Sequence, residues 1–313
     1  METKPLGSSG LEVTSVGIGC MMFGAMCDQQ QTNDIVAAAL DAGINFFDTA
    51  DIYGGPHGKS EELLGKALGP RRQQVIIGTK FGAGGRRGAI ERGGSREYIM
   101  QAVEQSLSLL GTDYIDLYQH HFPDSETPLE ETLQALDDLV RQGKVRHIGC
   151  SNYSGAQLAE AAEIASDNGL SSYVSAQNRY SLLVRDIEQD LVPVAQRLGI
   201  GILPYFPLES GLLTGKYRKG QALPEDSRFA KWGGGGAFLT DERLDIVEQL
   251  ADYAESIGRS VLDLAIGWLA AQAHVSSVIA GVTRPAQVLS NVAAASWQPA
   301  PEQLAEIGRI ATP

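Results

Sequence analysis

The chain has 313 residues, 43% of them hydrophobic and 20% charged, with a formal net charge of -13 and a pI near 4.8. That composition supports a sizeable core and lacks the signature of disorder. So acidic a chain excludes the clustered Lys and Arg that a nucleic-acid footprint or a membrane-attracted surface requires, and any anionic ligand must meet a locally basic pocket.

Length alone suggests about two domains, but (β/α)8 barrels reach this size as one unit, and one domain spanning residues 1–313 is expected. The segment Leu6-Gly-Ser-Ser-Gly-Leu-Glu-Val has paired runs around a Gly/Ser turn and predicts a small hairpin that plugs one barrel end. Eight short runs rich in β-branched and aromatic residues follow: Ser15–Cys20, Asn45–Thr49, Val75–Lys80, Ile115–His120, Ile148–Ser151, Val174–Gln177, Gly201–Tyr205 and Ser277–Gly281. Each is succeeded by a helical pattern, the rhythm of βα units closing a (β/α)8 TIM barrel. One predicted helix starts near Ser60 and stops at Gly69-Pro70; another carries Pro128 in its first turn and closes at Gly143. Two glycine-rich segments, Gly82–Gly94 and Lys216–Phe238, are too long for ordinary βα turns and are read as lid or collar loops on the C-terminal face.

Cys20, Cys27 and Cys150 cannot all pair internally and lack zinc spacing, which predicts a reducing compartment. The N-terminal segment has no apolar run of signal-peptide length, and no stretch of about 18 apolar residues occurs. A soluble, cytoplasmic protein without a membrane partner is expected.

The ends of successive predicted strands carry Asp48, Lys80, His121, Ser151-Asn152, Gln177 and Tyr205. In a parallel barrel all of these ends open on one face, where barrel enzymes place their sites. Singly, each has an ordinary explanation: a helix cap, a surface lysine, a core histidine. Together they point to a site.

Asn45-Phe-Phe-Asp-Thr-Ala-Asp-Ile-Tyr-Gly, Gly78-Thr-Lys-Phe, Asp116-Leu-Tyr-Gln-His-His-Phe-Pro-Asp, Gly149-Cys-Ser-Asn-Tyr, Tyr205-Phe-Pro-Leu-Glu-Ser-Gly-Leu-Leu-Thr-Gly-Lys-Tyr and Ile279-Ala-Gly-Val-Thr-Arg-Pro-Ala-Gln together resemble the aldo-keto reductase superfamily, in the family's order from about Leu6 to Asn291. The resemblance implies a catalytic tetrad of Asp48, Tyr53, Lys80 and His121, whose chemistry is coherent. Reducing a carbonyl takes a hydride donor and a proton donor for the oxygen as negative charge develops there. A tyrosine, with a pKa near 10, serves as that donor if a nearby cation stabilises its phenolate; Lys80 can be that cation, Asp48 can hold Lys80, and a neutral His121 can orient the carbonyl. The family pattern Asp-Leu-Tyr-Gln-x-His-x-Pro-Asp selects His121 and leaves His120 at the variable position. Because strand side chains alternate, only one of the two faces the barrel mouth.

No Gly-x-Gly-x-x-Gly follows a strand and opens a helix, so a Rossmann site is not supported. The resemblance implies instead that Ser151, Asn152 and Gln177 hydrogen-bond the nicotinamide amide while Tyr205 stacks on its ring. The segment Leu208–Leu212, with Ser210 and Gly211, Lys216 and Arg228, would cover the pyrophosphate. Cys20, Met21, Asp48, Phe206, Pro207 and Gly281 complete the expected cofactor set. A helix start carrying Thr283, Arg284 and Gln287 suits a 2′-phosphate, and Asn291 would contact the adenine, favouring NADPH over NADH. Gly281 stands where some relatives carry lysine, leaving Arg284 as the main cation there.

Met21, Phe23, Ile52, Tyr53, His121 and Phe122 predict a mostly apolar mouth for an aldehyde or ketone. Phe122 takes a position where many relatives have tryptophan. These walls name neither a particular substrate nor an oligomeric state. A metal-dependent barrel hydrolase fits poorly, since of five histidines only His120 and His121 lie near a strand end and no His-x-His occurs; no metal is expected. The alternative to an enzyme is a cofactor-binding interaction subunit resembling the β subunits of potassium channels, but a complete tetrad argues for turnover.

Overall fold

Short apolar runs separated by amphipathic helices build a closed ring of strands in the computed structural model, which describes residues 1–55, 58–83, 91–225, 227–231 and 235–312. Two strands, β1 (Thr3–Pro5) and β2 (Glu12–Thr14), form an antiparallel hairpin. The ring consists of β3 (Val16–Gly19), β4 (Phe46–Asp48), β5 (Ile76–Phe81), β6 (Ile115–His120), β7 (Val145–Ser151), β8 (Tyr173–Arg179), β9 (Gly201–Tyr205) and β10 (Val278–Gly281). Neighbours pair in parallel in the order β10-β3-β4-β5-β6-β7-β8-β9. The last seam closes where Ile202 N–H donates to His274 O at 3.0 Å and Ser276 N–H donates to Ile202 O at 3.0 Å. This is the expected (β/α)8 TIM barrel with its N-terminal hairpin.

Around it stand α1 (Gln29–Asp41), α2 (Lys59–Leu68), α3 (Arg96–Leu110), α4 (Leu129–Arg141), α5 (Gly155–Asn168), α6 (Leu191–Leu198), α7 (Arg228–Lys231), α8 (Asp241–Ser256), α9 (Val261–Ala270), α10 (Pro285–Ala295) and α11 (Pro301–Ile310). Helices α8 and α11 lie outside the repeat and pack on each other. Local chemistry sets the helix ends. The Ser154 hydroxyl accepts from Gln157 N–H while the Gln157 side chain accepts from Ser154 N–H, a reciprocal cap opening α5. Pro128 is the N-cap of α4 rather than a residue of its first turn, which suits a residue with no N–H to donate. Beyond α2, Gly69 and Pro70 open a further 3-10 turn through Gln74 before β5 begins.

Strand β7 starts earlier than its apolar run, at Val145, because Arg146 and His147 are polar yet paired into the sheet. The Arg146 guanidinium lies 3.8 Å from the Tyr114 ring centroid and 3.3 Å from the Asp116 carboxylate.

The hairpin plugs the barrel bottom. Leu6 and Val13, both fully buried, pack with the inward side chains Phe46, Leu117, Val174, Leu203 and Ile279. Gly7 turns the chain there with φ +54, and a Cβ on it would fall 2.2 Å from Val174 O, so a side chain is excluded. With the lower end filled, the opposite end remains for a site. Of the two long loops expected above that end, residues 84–90, 226 and 232–234 lie outside the described residues. Around them, Gly94 is tied to Asp124 and Thr132, and Gly236–Phe238 forms a 3-10 turn.

Candidate active site

Strand alternation points Leu117 and Gln119 into the barrel and Tyr118 and His120 outward toward the helices. On β4 and β5 the inward set is Phe46, Asp48, Gly78 and Lys80. Register pairs Asp48 with Gly78, one residue pair below Lys80. A Cβ on Gly78 would lie 3.6 Å from an Asp48 carboxylate oxygen and 3.3 Å from the Phe46 ring. The absence of a side chain at 78 leaves room for Lys80 to lean across to Asp48.

Lys80 is completely buried, a placement tolerable for an ammonium only if its donors are all met. They are: Nζ donates to Asp48 Oδ2 at 2.7 Å, to Thr49 O at 2.8 Å and to Tyr53 Oη at 3.4 Å. Burial pulls the ammonium down, but Asp48 and Tyr53 more than offset it and leave Lys80 above the ordinary lysine value. It is a fixed positive charge at neutral pH.

Tyr53 reaches this spot from the loop after β4. Its N–H donates to Ala50 O at 3.1 Å, and Ser60 N–H donates to its carbonyl at 3.0 Å. Gly54 follows with φ +79, where a Cβ would strike Phe23 O at 2.3 Å. The Thr49 and Ser60 hydroxyls stand 2.9 Å apart, and Ser60 donates to Cys20 O, pinning the loop to the end of β3.

The phenol itself departs from expectation. Burial pushes Tyr53 above the ordinary tyrosine value, Lys80 pulls it down, and Asp48 pushes it up again, with a net shift upward. The ammonium therefore moderates the rise without making the phenol acidic. Tyr53 holds its proton firmly at neutral pH, the state a proton donor needs.

His121 follows the end of β6, its N–H donating to Phe81 O at 2.9 Å. Its ring meets that of Tyr53 edge to face, with centroids 5.8 Å apart at 81°. Burial and the Lys80 charge hold it well below the ordinary histidine value, so it is neutral. The other imidazole, His120, stacks on Phe81 and hydrogen-bonds Tyr153 Oη at 2.9 Å.

Beside this group, Gln177 donates to Asp48 Oδ1 at 2.8 Å. Asn152, with φ +62, donates to His121 O at 2.9 Å and Ser151 Oγ at 3.1 Å and accepts from Tyr205 Oη at 2.7 Å. The structure thus brings Ser151, Asn152, Gln177 and Tyr205 together on one flank of Asp48. Among the described residues, no cluster of three or more His, Cys, Asp or Glu is placed to hold a metal ion, and no helix is long and apolar enough to cross a membrane.

The sequence profile of the Aldo/keto reductase family matches residues 15–312. The chain belongs to that family. Relatives include a probable voltage-gated potassium channel subunit beta of Oryza sativa subsp. japonica, 37% identical with 94% of this chain and 91% of the relative covered. An L-glyceraldehyde 3-phosphate reductase of Escherichia coli O157:H7 is 34% identical, with 94% and 87% covered. An uncharacterized oxidoreductase of Bacillus subtilis (strain 168) is 36% identical, with 90% and 87% covered. The family is one of oxidoreductases of small carbonyl compounds, and two of these relatives carry a reductase or oxidoreductase name.

The remaining expected cofactor residues form two groups. After β9 the chain passes through Phe206, Glu209 and Ser210, all at positive φ without being glycine, and then Gly211 at φ +101. Each such non-glycine residue costs about 1–3 kcal/mol and persists only where its surroundings enforce it. Pro207 and Leu212 are buried, Leu208 partly so. Lys216 is exposed, its Nζ 3.2 Å from where a Cβ on Gly211 would sit. The side chain of Arg228 lies outside the described residues. After β10, exposed Gly281 leads to Thr283, whose N–H donates to Gln287 Oε1 at 2.7 Å. Arg284 is the exposed N-cap of α10 and makes no ion pair among the described residues; Asn291 is buried one turn beyond Gln287. The Lys216 ammonium beside Gly211, and a helix start bearing a guanidinium with no ion pair among the described residues, suit the two phosphate-bearing parts of a dinucleotide.

Of the expected substrate wall, Met21, Ile52 and Phe122 keep some exposure. Phe23 does not: it is fully buried in the core and supports the wall from behind. Cys20 is likewise fully buried in the core, its thiol donating to Ile18 O at 3.6 Å and its carbonyl accepting from Ser60 Oγ at 2.8 Å.

Gln119 is a site residue that the motifs did not single out. Buried in the barrel interior two residues before His121, its amide N–H lies 3.4 Å from Asp48 Oδ1. The period-2 alternation that separates His121 from His120 also places Gln119 on the inward face. A second is Glu209, fully buried in the strained segment after β9.

Proposed function

We propose that this chain, acting as one domain over residues 1–313 in the cytoplasm, is an NADPH-dependent reductase of aldehydes or ketones. What carries the reading is the contact between the Tyr53 hydroxyl and an ammonium whose other two protons are already taken by Asp48 and the Thr49 carbonyl. When bound, reduced nicotinamide supplies a hydride from its C4 to the carbonyl carbon.

The protein's own groups serve the oxygen. Tyr53 gives its proton to the oxygen as charge develops there, and Lys80 stabilises the phenolate left behind. Neutral His121 donates a ring N–H to the carbonyl oxygen and sets its direction. Asp48 keeps Lys80 charged and in place. The balance is carbonyl, NADPH and a proton giving alcohol and NADP+, reversible in principle. Ser151, Asn152 and Gln177 would hold the nicotinamide amide, Tyr205 its ring, and Thr283, Arg284 and Gln287 the 2′-phosphate.

The test is absorbance-monitored NADPH oxidation against aldehydes, ketones, quinones and sugars, with glyceraldehyde 3-phosphate included because of the Escherichia coli relative's name. Tyr53→Phe should lower turnover by about 10³-fold or more while NADPH affinity stays nearly constant; full retained turnover contradicts the assignment. Arg284→Ala should weaken NADPH far more than NADH.

A second reading has specific support in the name of the Oryza sativa relative: a cofactor-binding subunit of a larger assembly. Bound NADPH with no turnover across the panel would favour it.

A further inference from the structure

Glu209 is an anomaly for a residue at the barrel mouth. Its carboxylate has no exposed surface and sits at φ +45 between two other strained positions, Phe206 and Ser210. A buried carboxylate persists only if its lone pairs are met by charged donors. Here both oxygens bind Arg179, through Nε at 3.2 Å and through the closer Nη2; Arg243 Nη1 donates at 3.1 Å and Ser181 Oγ at 3.1 Å.

The partners come from three places. Arg179 ends β8, two residues beyond Gln177. Ser181 is in the loop that follows it. Arg243 lies in the first turn of α8, a helix outside the βα repeat. Phe238 packs under the Arg179 guanidinium at 5.5 Å. One side chain thus ties the strained segment to the barrel rim on one side and to an added helix on the other.

We propose that the Glu209 carboxylate, gripped by Arg179 and Arg243, is a latch that holds residues 206–215 in their strained form and so sets how long the dinucleotide stays bound. This rests on the reading of that segment as the dinucleotide cradle. Positive-φ backbone at Phe206, Glu209 and Ser210 relaxes once its anchor is lost, and the turns closed by Glu209 N–H on Phe206 O and by Gly211 and Leu213 N–H on Leu208 O then open. Glu209 is a positioning residue: it acts on the cofactor through the backbone it fixes.

The cluster also carries charge. Two guanidiniums against one carboxylate leave one surplus positive charge, with the Arg179 and Arg243 side chains 35% and 24% exposed, in a chain of net charge -13. Charge and anchoring make opposite predictions for Glu209→Gln. Removing the carboxylate increases the surplus positive charge, so electrostatics alone would tighten an anionic ligand. Loss of the latch loosens it.

The experiment is stopped-flow release of NADPH from the full chain, chased by excess NADP+, with the deuterium isotope effect on kcat from 4-deuterated NADPH. Glu209→Gln should raise the release rate at least tenfold, and Arg243→Gln, at the more accessible rim, should raise it several-fold. The single-turnover hydride step should be unchanged in Arg243→Gln, whose side chain lies on α8 outside the cofactor segment. Where release limits turnover, the isotope effect on kcat should rise. Tighter or unchanged NADPH binding in Glu209→Gln overturns the latch, as does a lower melting temperature with unchanged release in Arg243→Gln. If the unaltered protein binds neither NADPH nor NADH, the cradle reading fails and the latch falls with it, an outcome distinct from either variant result.

Discussion

His120 and His121 are consecutive and serve opposite sides of the barrel wall. The His120 imidazole stacks on Phe81 with centroids 5.1 Å apart and planes within 5°, under the helical layer, where burial lowers it to about 4. The His121 ring stands edge-on to Tyr53 at the mouth. His120→Phe should keep the stacking and lose only the Tyr153 hydrogen bond, costing about 1 kcal/mol of stability with turnover within a few-fold of the unaltered protein. His121→Ala should lower kcat/KM by about 10²-fold or more with little change in melting temperature. The opposite pattern would move the carbonyl-orienting role to His120.

Asp48 raises the proton affinity of both Tyr53 and Lys80. The two form one coupled unit, so an alkaline limb in the rate of reduction belongs to the pair. Reduction needs the phenol protonated; with Tyr53 shifted upward, that limb lies above the ordinary tyrosine value of 10. In Asp48→Asn both groups lose their upward push. The limb should then move to lower pH, together with a fall in kcat. A limb that stays in place or moves upward in the pH profile of kcat/KM would show that Asp48 does not govern the pair.

The barrel was legible because its signal is repetitive: eight apolar runs, each followed by a helical pattern, leave few topologies open, and all eight appear as parallel strands. The polar strand ends were legible for the same reason, since parallel strands bring their C-termini to one face. What escaped depends on contacts between distant elements. Phe23 reads as a mouth residue from its neighbours, yet it packs into the core because the Tyr53 loop, through Gly54, closes over its carbonyl. Glu209 reads as a polar residue in a loop; only the convergence of Arg179 and Arg243, 30 and 34 residues away, shows why it is buried. The upward shift of Tyr53 follows from burial, a quantity that no local motif carries.

Behind β5, Glu61 gives a test of stability rather than activity. It is fully buried in the first turn of α2, with Thr79 donating to Oε1 at 2.6 Å and Oε2 without a partner among the described residues. Burial raises it from 4.5 to about 7; the Thr79 hydrogen bond, the nearby Ser106 hydroxyl and Lys80 work against the rise, and Asp51, itself raised to about 6 by burial, adds to it. The fold therefore prefers Glu61 protonated. Its favourable contribution is complete below about pH 4.5, where folded and unfolded chains both carry the proton, and is lost as pH rises through about 7. At roughly 1.4 kcal/mol per pH unit, the shift corresponds to on the order of 3 kcal/mol. Glu61→Gln keeps the acceptor for Thr79 and removes the charge. Denaturant unfolding at pH 5 and pH 8 should show the variant gaining on the unaltered protein by most of that amount at the higher pH, with the gain accumulating between about pH 4.5 and 7. A stability difference that is flat across this range would mean that Glu61 is ionised in the fold throughout, stabilised by Lys80 despite the absence of a direct contact.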